Sequence, residues 1–126
     1  MEDQLKDSNI SGYDFPIELQ KVIDLGIINL KPWEIINDER FTVKNNGIKQ
    51  RYSYKDFIAF AIRMDNDDVA CWDIKKKNVV IIHDFANPGW EQRKKFKTFW
   101  DWFRQAIEDM IEFAKTDIEY EENNKL

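Results

Sequence analysis

The sequence predicts an α+β domain, a central antiparallel sheet (β-meander) packed against a short N-terminal helix and a long C-terminal amphipathic helix. Three observations predict it. Between Phe57 and Phe85, three apolar runs are separated by Asp65-Asn66-Asp67-Asp68 and by Lys75-Lys76-Lys77-Asn78. Such clusters cannot lie in a core, and their Asn and Asp favour turns. Near the start, Phe15-Pro16 opens a short apolar pattern. From about Thr98 to Lys115, large apolar residues recur at spacings of three and four.

The elements follow in chain order. Residues 1–12 are polar, end in Ser11-Gly12 and read as a flexible leader. Pro16 is preorganised for a first helical turn, where its missing N–H costs nothing. Leu19, Val22 and Ile23 then fall at helical spacing, and Gly26 is the natural stop. Leu30-Lys31-Pro32-Trp33 is an extended connection whose Trp33 is either a core plug or an exposed recognition side chain. Residues 37–54 are charged and irregular. Phe41 and Val43 alternate with polar residues and Asn46-Gly47 is a hairpin-type pair, so the reading there is an edge hairpin or a loop.

In the first central strand, Ile58, Phe60, Ile62 and Met64 alternate with Phe57, Ala59, Ala61 and Arg63. Ala59 and Ala61 thus face one way and leave room for a helix. Val69 to Ile74 forms the second strand. Val79 to Phe85 forms the third, and its apolar run suggests burial on both faces. Ala86 to Trp90 is a loop marked by Pro88-Gly89, followed by the basic stretch Arg93-Lys94-Lys95. Thr98 with Asp101 is a helix-start pair. The stripe of the last helix is Phe96, Phe99, Trp100, Phe103, Ile107, Met110, Ile111 and Ala114. Residues 13–116 read as one domain and 117–126 as an acidic tail that frays.

Composition narrows the function. At 126 residues, with 43% apolar and 14% aromatic residues, the chain can bury a core as a single domain. A net charge of −5 argues against a binder of nucleic-acid backbones and suits a basic protein partner. The single cysteine, Cys71, sits in a strand and excludes a disulfide framework or a zinc cluster. Neither a secretory leader nor an apolar run of about 20 residues, as a membrane span requires, is visible. A cytoplasmic protein is expected, with no membrane or nucleic-acid partner, as a monomer or weak homodimer.

The motifs offer little chemistry. Asp65 and Asp67 open like a calcium loop, but its sixth and twelfth places hold Ala70 and Lys76 instead of Gly and Glu. His83, the one histidine, stands beside Asp84, yet neighbouring strand residues point to opposite faces. With no nucleophile, phosphate-loop or metal-ligand pattern, no enzyme and no cofactor are expected.

FIAFAIRMDNDDVACWDI, VVIIHDFANPGWE and FWDWFRQAIEDMIEF, with Phe15-Pro16 and Pro32-Trp33 ahead of them, resemble the bacterial SUKH superfamily. This group of α+β domains is related to the yeast cell-wall-assembly regulators, and the likeness spans roughly residues 13–114. It implies a non-enzymatic binding protein, of the immunity type that neutralises a cognate bacterial toxin, frequently a nuclease. Trp33, Asp65, Asn66, Asp67, Asp68 and Trp90 are then the candidate partner contacts. A regulatory or scaffold module with no toxin partner is the other reading.

Overall fold

The computed structural model describes residues 15–84 and 92–124. Helix α1 (Ile17–Asp24) leads into strands β1 (Asn29–Leu30) and β2 (Trp33–Ile35), helix α2 (Glu39–Arg51), strands β3 (Phe57–Arg63), β4 (Asp68–Asp73), β5 (Asn78–His83) and β6 (Gln92–Phe96), and helix α3 (Phe99–Asn123). All six strands form one antiparallel sheet in chain order, so each strand pairs with its neighbour in sequence. The α+β architecture read from the sequence is therefore present, with one helix more than expected.

That helix is α2, which replaces the expected edge hairpin or loop. Phe41, Asn45, Ile48 and Tyr52 are all buried and recur every three or four residues. Phe41 alternating with Val43 imitates a strand only locally, for Val43 is exposed. Asp38 caps the start, its carboxylate accepting from Arg40 N at 3.0 Å. Asn46-Gly47 lies within the helix and turns nothing. The glycine has a packing role, because a Cβ there would lie 2.7 Å from the Arg51 guanidinium.

The sheet is covered on both faces. Towards α1 and α3 it presents Ile58, Phe60, Ala61, Ala70, Trp72, Val79 and Ile81, and towards α2 Phe57, Ala59, Val69, Cys71, Val80 and Ile82. Burial of β5 on both faces is as its sequence suggests. Ala59 and Ala61 do not share a face, however. The β3–β4 register shifts between them, leaving Phe60 as an extra residue, a β-bulge. Beyond the bulge the alternation inverts, so Ala61 and Arg63 turn towards α3 while Ile62 lines a groove beside α2.

Beside that bulge, β2 has already ended. Ile35 pairs with Ala61, and Ile36 N donates to Phe60 O at 2.9 Å. The amide of Asn45 continues the ladder: its Oδ1 accepts from Ala59 N at 2.8 Å and its Nδ2 donates to Ala59 O at 3.0 Å. A second Nδ2 bond reaches Phe41 O. A buried polar side chain here stands in for a missing strand and pins α2 to β3.

Two further differences concern the C-terminal third. Arg93-Lys94-Lys95 is part of β6, an edge strand whose charges keep that edge from pairing with other chains. Helix α3 begins where the sequence places it, with Thr98 Oγ1 accepting from Asp101 N at 3.1 Å. It does not fray after Lys115 but runs to Asn123, because this stretch contains no Gly or Pro and holds three helix-favouring glutamates, Glu119, Glu121 and Glu122. The stripe facing the sheet is Phe99, Trp102 and Ala106. Trp102 meets Phe60 edge-on at 4.9 Å and Trp33 at 5.7 Å, while Phe103 is only half buried.

Removal of the surrogate strand should be costly. Asn45→Ala leaves the Ala59 N–H and C=O unpaired in the core and is expected to lower unfolding free energy by about 2–3 kcal/mol in urea titration. Trp102→Ala should cost about 3–5 kcal/mol and Phe103→Ala clearly less, an order that the same titration checks.

Candidate functional site

The β3–β4 turn is held by bonds on every side. Asn66 Oδ1 accepts from Asp68 N at 2.7 Å, which closes a local turn that a type of residue such as Asn favours. Arg63 Nε donates to Asp65 Oδ1 at 2.7 Å. Asp84 N donates to the carbonyl of Asp67 at 3.0 Å. Asp65, Asn66 and Asp67 are exposed, whereas Asp68 is buried. Asp68 Oδ1 lies 3.0 Å from His83 Nδ1 and 3.5 Å from Arg93 Nε. Three strands therefore meet at this carboxylate.

The inverted alternation after the bulge puts Arg63 below α3. Its Nη1 lies 3.4 Å from Asp109 Oδ2, and its guanidinium stacks 5.8 Å from the Trp33 ring centre. Burial alone would lower the Arg63 pKa, but the Asp65 hydrogen bond and the nearby carboxylates outweigh it, so the guanidinium stays charged. Asp109 also accepts from Trp33 Nε1 at 2.9 Å and from Gln105 Nε2 at 2.9 Å. Between α3 and the sheet, these groups and Arg93, Lys94 and Phe96 line a cleft of about 320 Å³. Its charges are largely spent on one another, so the network fixes the turn relative to α3.

Of the candidate contacts, Asp65, Asn66 and Asp67 are together at the surface. Asp68 supports them from within. Trp33, which the sequence left as plug or contact, is 3% exposed and is a plug; no partner can touch it without opening the core. Trp90 lies outside the described residues. Cys71 is fully buried, and burial pushes its thiol pKa up, away from reactivity. Among the described residues no group of three or more His, Cys, Asp or Glu side chains could hold a metal. Nor is any helix there long and apolar enough to cross a membrane.

A second cluster went unseen in the sequence. The Asp84 side chain is 1% exposed and accepts from Arg51 Nε at 2.9 Å, Arg51 Nη2 at 2.7 Å, Lys44 Nζ at 3.3 Å and Tyr52 Oη at 3.2 Å. All three donors lie on or just after α2. Burial raises the carboxyl pKa, but the bonds and charge of Arg51, and then Lys44, outweigh it and hold it below the ordinary range. Because the Asp84 backbone N–H also ties down Asp67, this carboxylate anchors the acidic turn to α2. Only recognising α2 as a helix could have exposed the cluster, since Lys44, Arg51 and Tyr52 share a face at helical spacing alone.

A carboxyl depressed in the folded state contributes stability that is complete above the unfolded value, near 3.8, and drains away as pH falls below it. Asp84→Asn should therefore lower stability by about 3 kcal/mol at neutral pH. It should also flatten the loss of stability on acidification below about pH 4, as thermal melts across that range would show.

No family model, no curated protein and no solved structure matches this chain.

Proposed function

We propose that this protein is a non-enzymatic binding protein of immunity type that acts in the cytoplasm and neutralises a basic toxin domain, a nuclease among the candidates. The observation that supports this most is the preorganised acidic turn. Asp65, Asn66 and Asp67 project at the surface, while Arg63, Asp68 and the Asp84 backbone hold the chain beneath them. A partner that docks there meets side chains on an ordered backbone, so little loop-ordering entropy is lost on binding. Carboxylates on such a knuckle can occupy places that a nuclease reserves for phosphates. They also speed encounter with a basic surface. The likeness of the three sequence strings to the SUKH superfamily supports the immunity class. The overall acidity of the chain supports the sign of the partner.

Asp67 is the residue to test, because no side-chain ion pair involves it among the described residues and Asp65 is tied to Arg63. Affinity capture from the native cells, eluted by a salt step, should retain a basic protein that is toxic when expressed alone and harmless when co-expressed with this chain. With that partner, Asp67→Lys should slow association about tenfold at low salt, with the difference shrinking as salt rises. An association rate that ignores both substitution and salt would remove the turn from the interface, and capture of a non-toxic regulatory protein would favour a scaffold instead.

A further inference from the structure

The fold spends only part of the apolar stripe that the last helix shows in its sequence: Phe99 is in the core and Phe103, Ile107 and Met110 pack against it, but Trp100, Ile111 and Ala114 stay outside. The sheet takes Phe99, Trp102 and Ala106. Trp100, Phe103, Ile107, Ile111, Ala114 and Ile118 form a second stripe, about a third of a turn round a helix of ~3.6 residues per turn. Its outer edge stays open: Trp100 is 39% exposed, Ile111 38% and Ile118 56%, with Ala114 exposed, while Phe103 and Ile107 rest one side on the core and show the other. The stripe runs for about 27 Å at ~1.5 Å per residue.

Its order is symmetric about the level of Asp109. An antiparallel copy of the same helix brings Trp100 opposite Ile118 and Ile107 opposite Ile111, and sets the large Phe103 within one residue of the level of the small Ala114. The charges at the two ends are complementary in the same sense. Lys95 and Lys97 precede the helix, and Glu119, Glu121 and Glu122 close it. These five side chains are exposed and form no ion pair among the described residues. In the antiparallel arrangement the level of Lys97 faces that of Glu121. A parallel arrangement would set acid against acid. Arg104 and Lys115, which flank the stripe, are already paired within the helix to Asp101 at 3.7 Å and to Glu112 at 3.3 Å.

We propose that this face of α3 is the interface of a homodimer, in which two copies pair their last helices antiparallel about a two-fold axis at Asp109. A two-fold interface requires one patch that complements itself, and this stripe meets that condition in shape and in charge. With one helix per subunit the contact is at the small end of specific interfaces, so the dimer forms reversibly with concentration. The immunity reading is not needed for this inference; the acidic turn is a separate surface.

Sedimentation of the full chain across about 1 µM to 1 mM, the range of weak association, should show the mass rising from one chain towards two, less steeply at high salt. Ile111→Glu should hold the protein monomeric with its melting temperature unchanged, since Ile111 is outside the core. Two charge variants provide the specific test: K95E/K97E and E121K/E122K. Each alone should dimerise more weakly than the native chain, and an equimolar mixture should associate more tightly than either. A single-chain mass at every concentration would overturn the proposal. So would a dimer indifferent to Ile111→Glu, or a mixture no tighter than its components.

Discussion

The constraint on which the structure depends is that β4 and β5 are apolar on both faces. An antiparallel sheet of this size usually leaves one face to water. Here Ala70, Trp72, Val79 and Ile81 need cover on one side and Val69, Cys71, Val80 and Ile82 on the other. One long helix cannot supply both. The charged segment between β2 and β3 therefore folds as α2, and its buried Ile48 and Tyr52 close the second face. The polar residues of that segment then find uses that only a helix permits: Asn45 completes the ladder of β3, and Lys44, Arg51 and Tyr52 converge on Asp84.

The bulge at Phe60 is the second organising feature, because it re-aims one side chain. Without the extra residue, Arg63 would share a face with Ala59 and point towards α2. With it, Arg63 lies between Asp65 of the turn and Asp109 of α3. The same guanidinium covers Trp33, whose indole N–H shares the Asp109 carboxylate. A local irregularity in one strand thus couples the acidic turn to the long helix. On the opposite side the buried Asp84 couples the same turn to α2. A polar turn, three of whose four residues are exposed, is thereby anchored to both α2 and α3, which gives it a fixed backbone that an ordinary solvated turn lacks.

Helix α3 carries more apolar surface than one sheet can use. Its C-terminal part is exposed from Ala114 to Asn124, yet it stays helical to Asn123. A monomer gains nothing from this excess, and an open apolar stripe of that length is a hazard unless something covers it. The distribution of lysines before the helix and glutamates at its end makes a second copy a chemically consistent cover.

The sequence by itself determined the meander, its two polar turns, the position and cap of the last helix and the glycine stop of the first. Each of these rests on short-range signals: period-two alternation, Asn and Asp in turns, a Thr with an Asp three residues on. It also singled out Asp65 to Asp68, of which three are presented and one is buried in support. Tertiary structure alone decided the rest. A helix with weak amphipathicity, carrying Asn46-Gly47 in its middle, forms because a second sheet face had to be covered. A bulge, invisible in a run of apolar residues, inverted the faces of Ala61, Ile62 and Arg63. Which residues of α3 are buried deepest depended on the shape of the sheet below it, where Phe60 and Trp33 leave a place for the Trp102 ring. Short-range pattern sets which elements exist; the competition for buried surface sets which faces they spend.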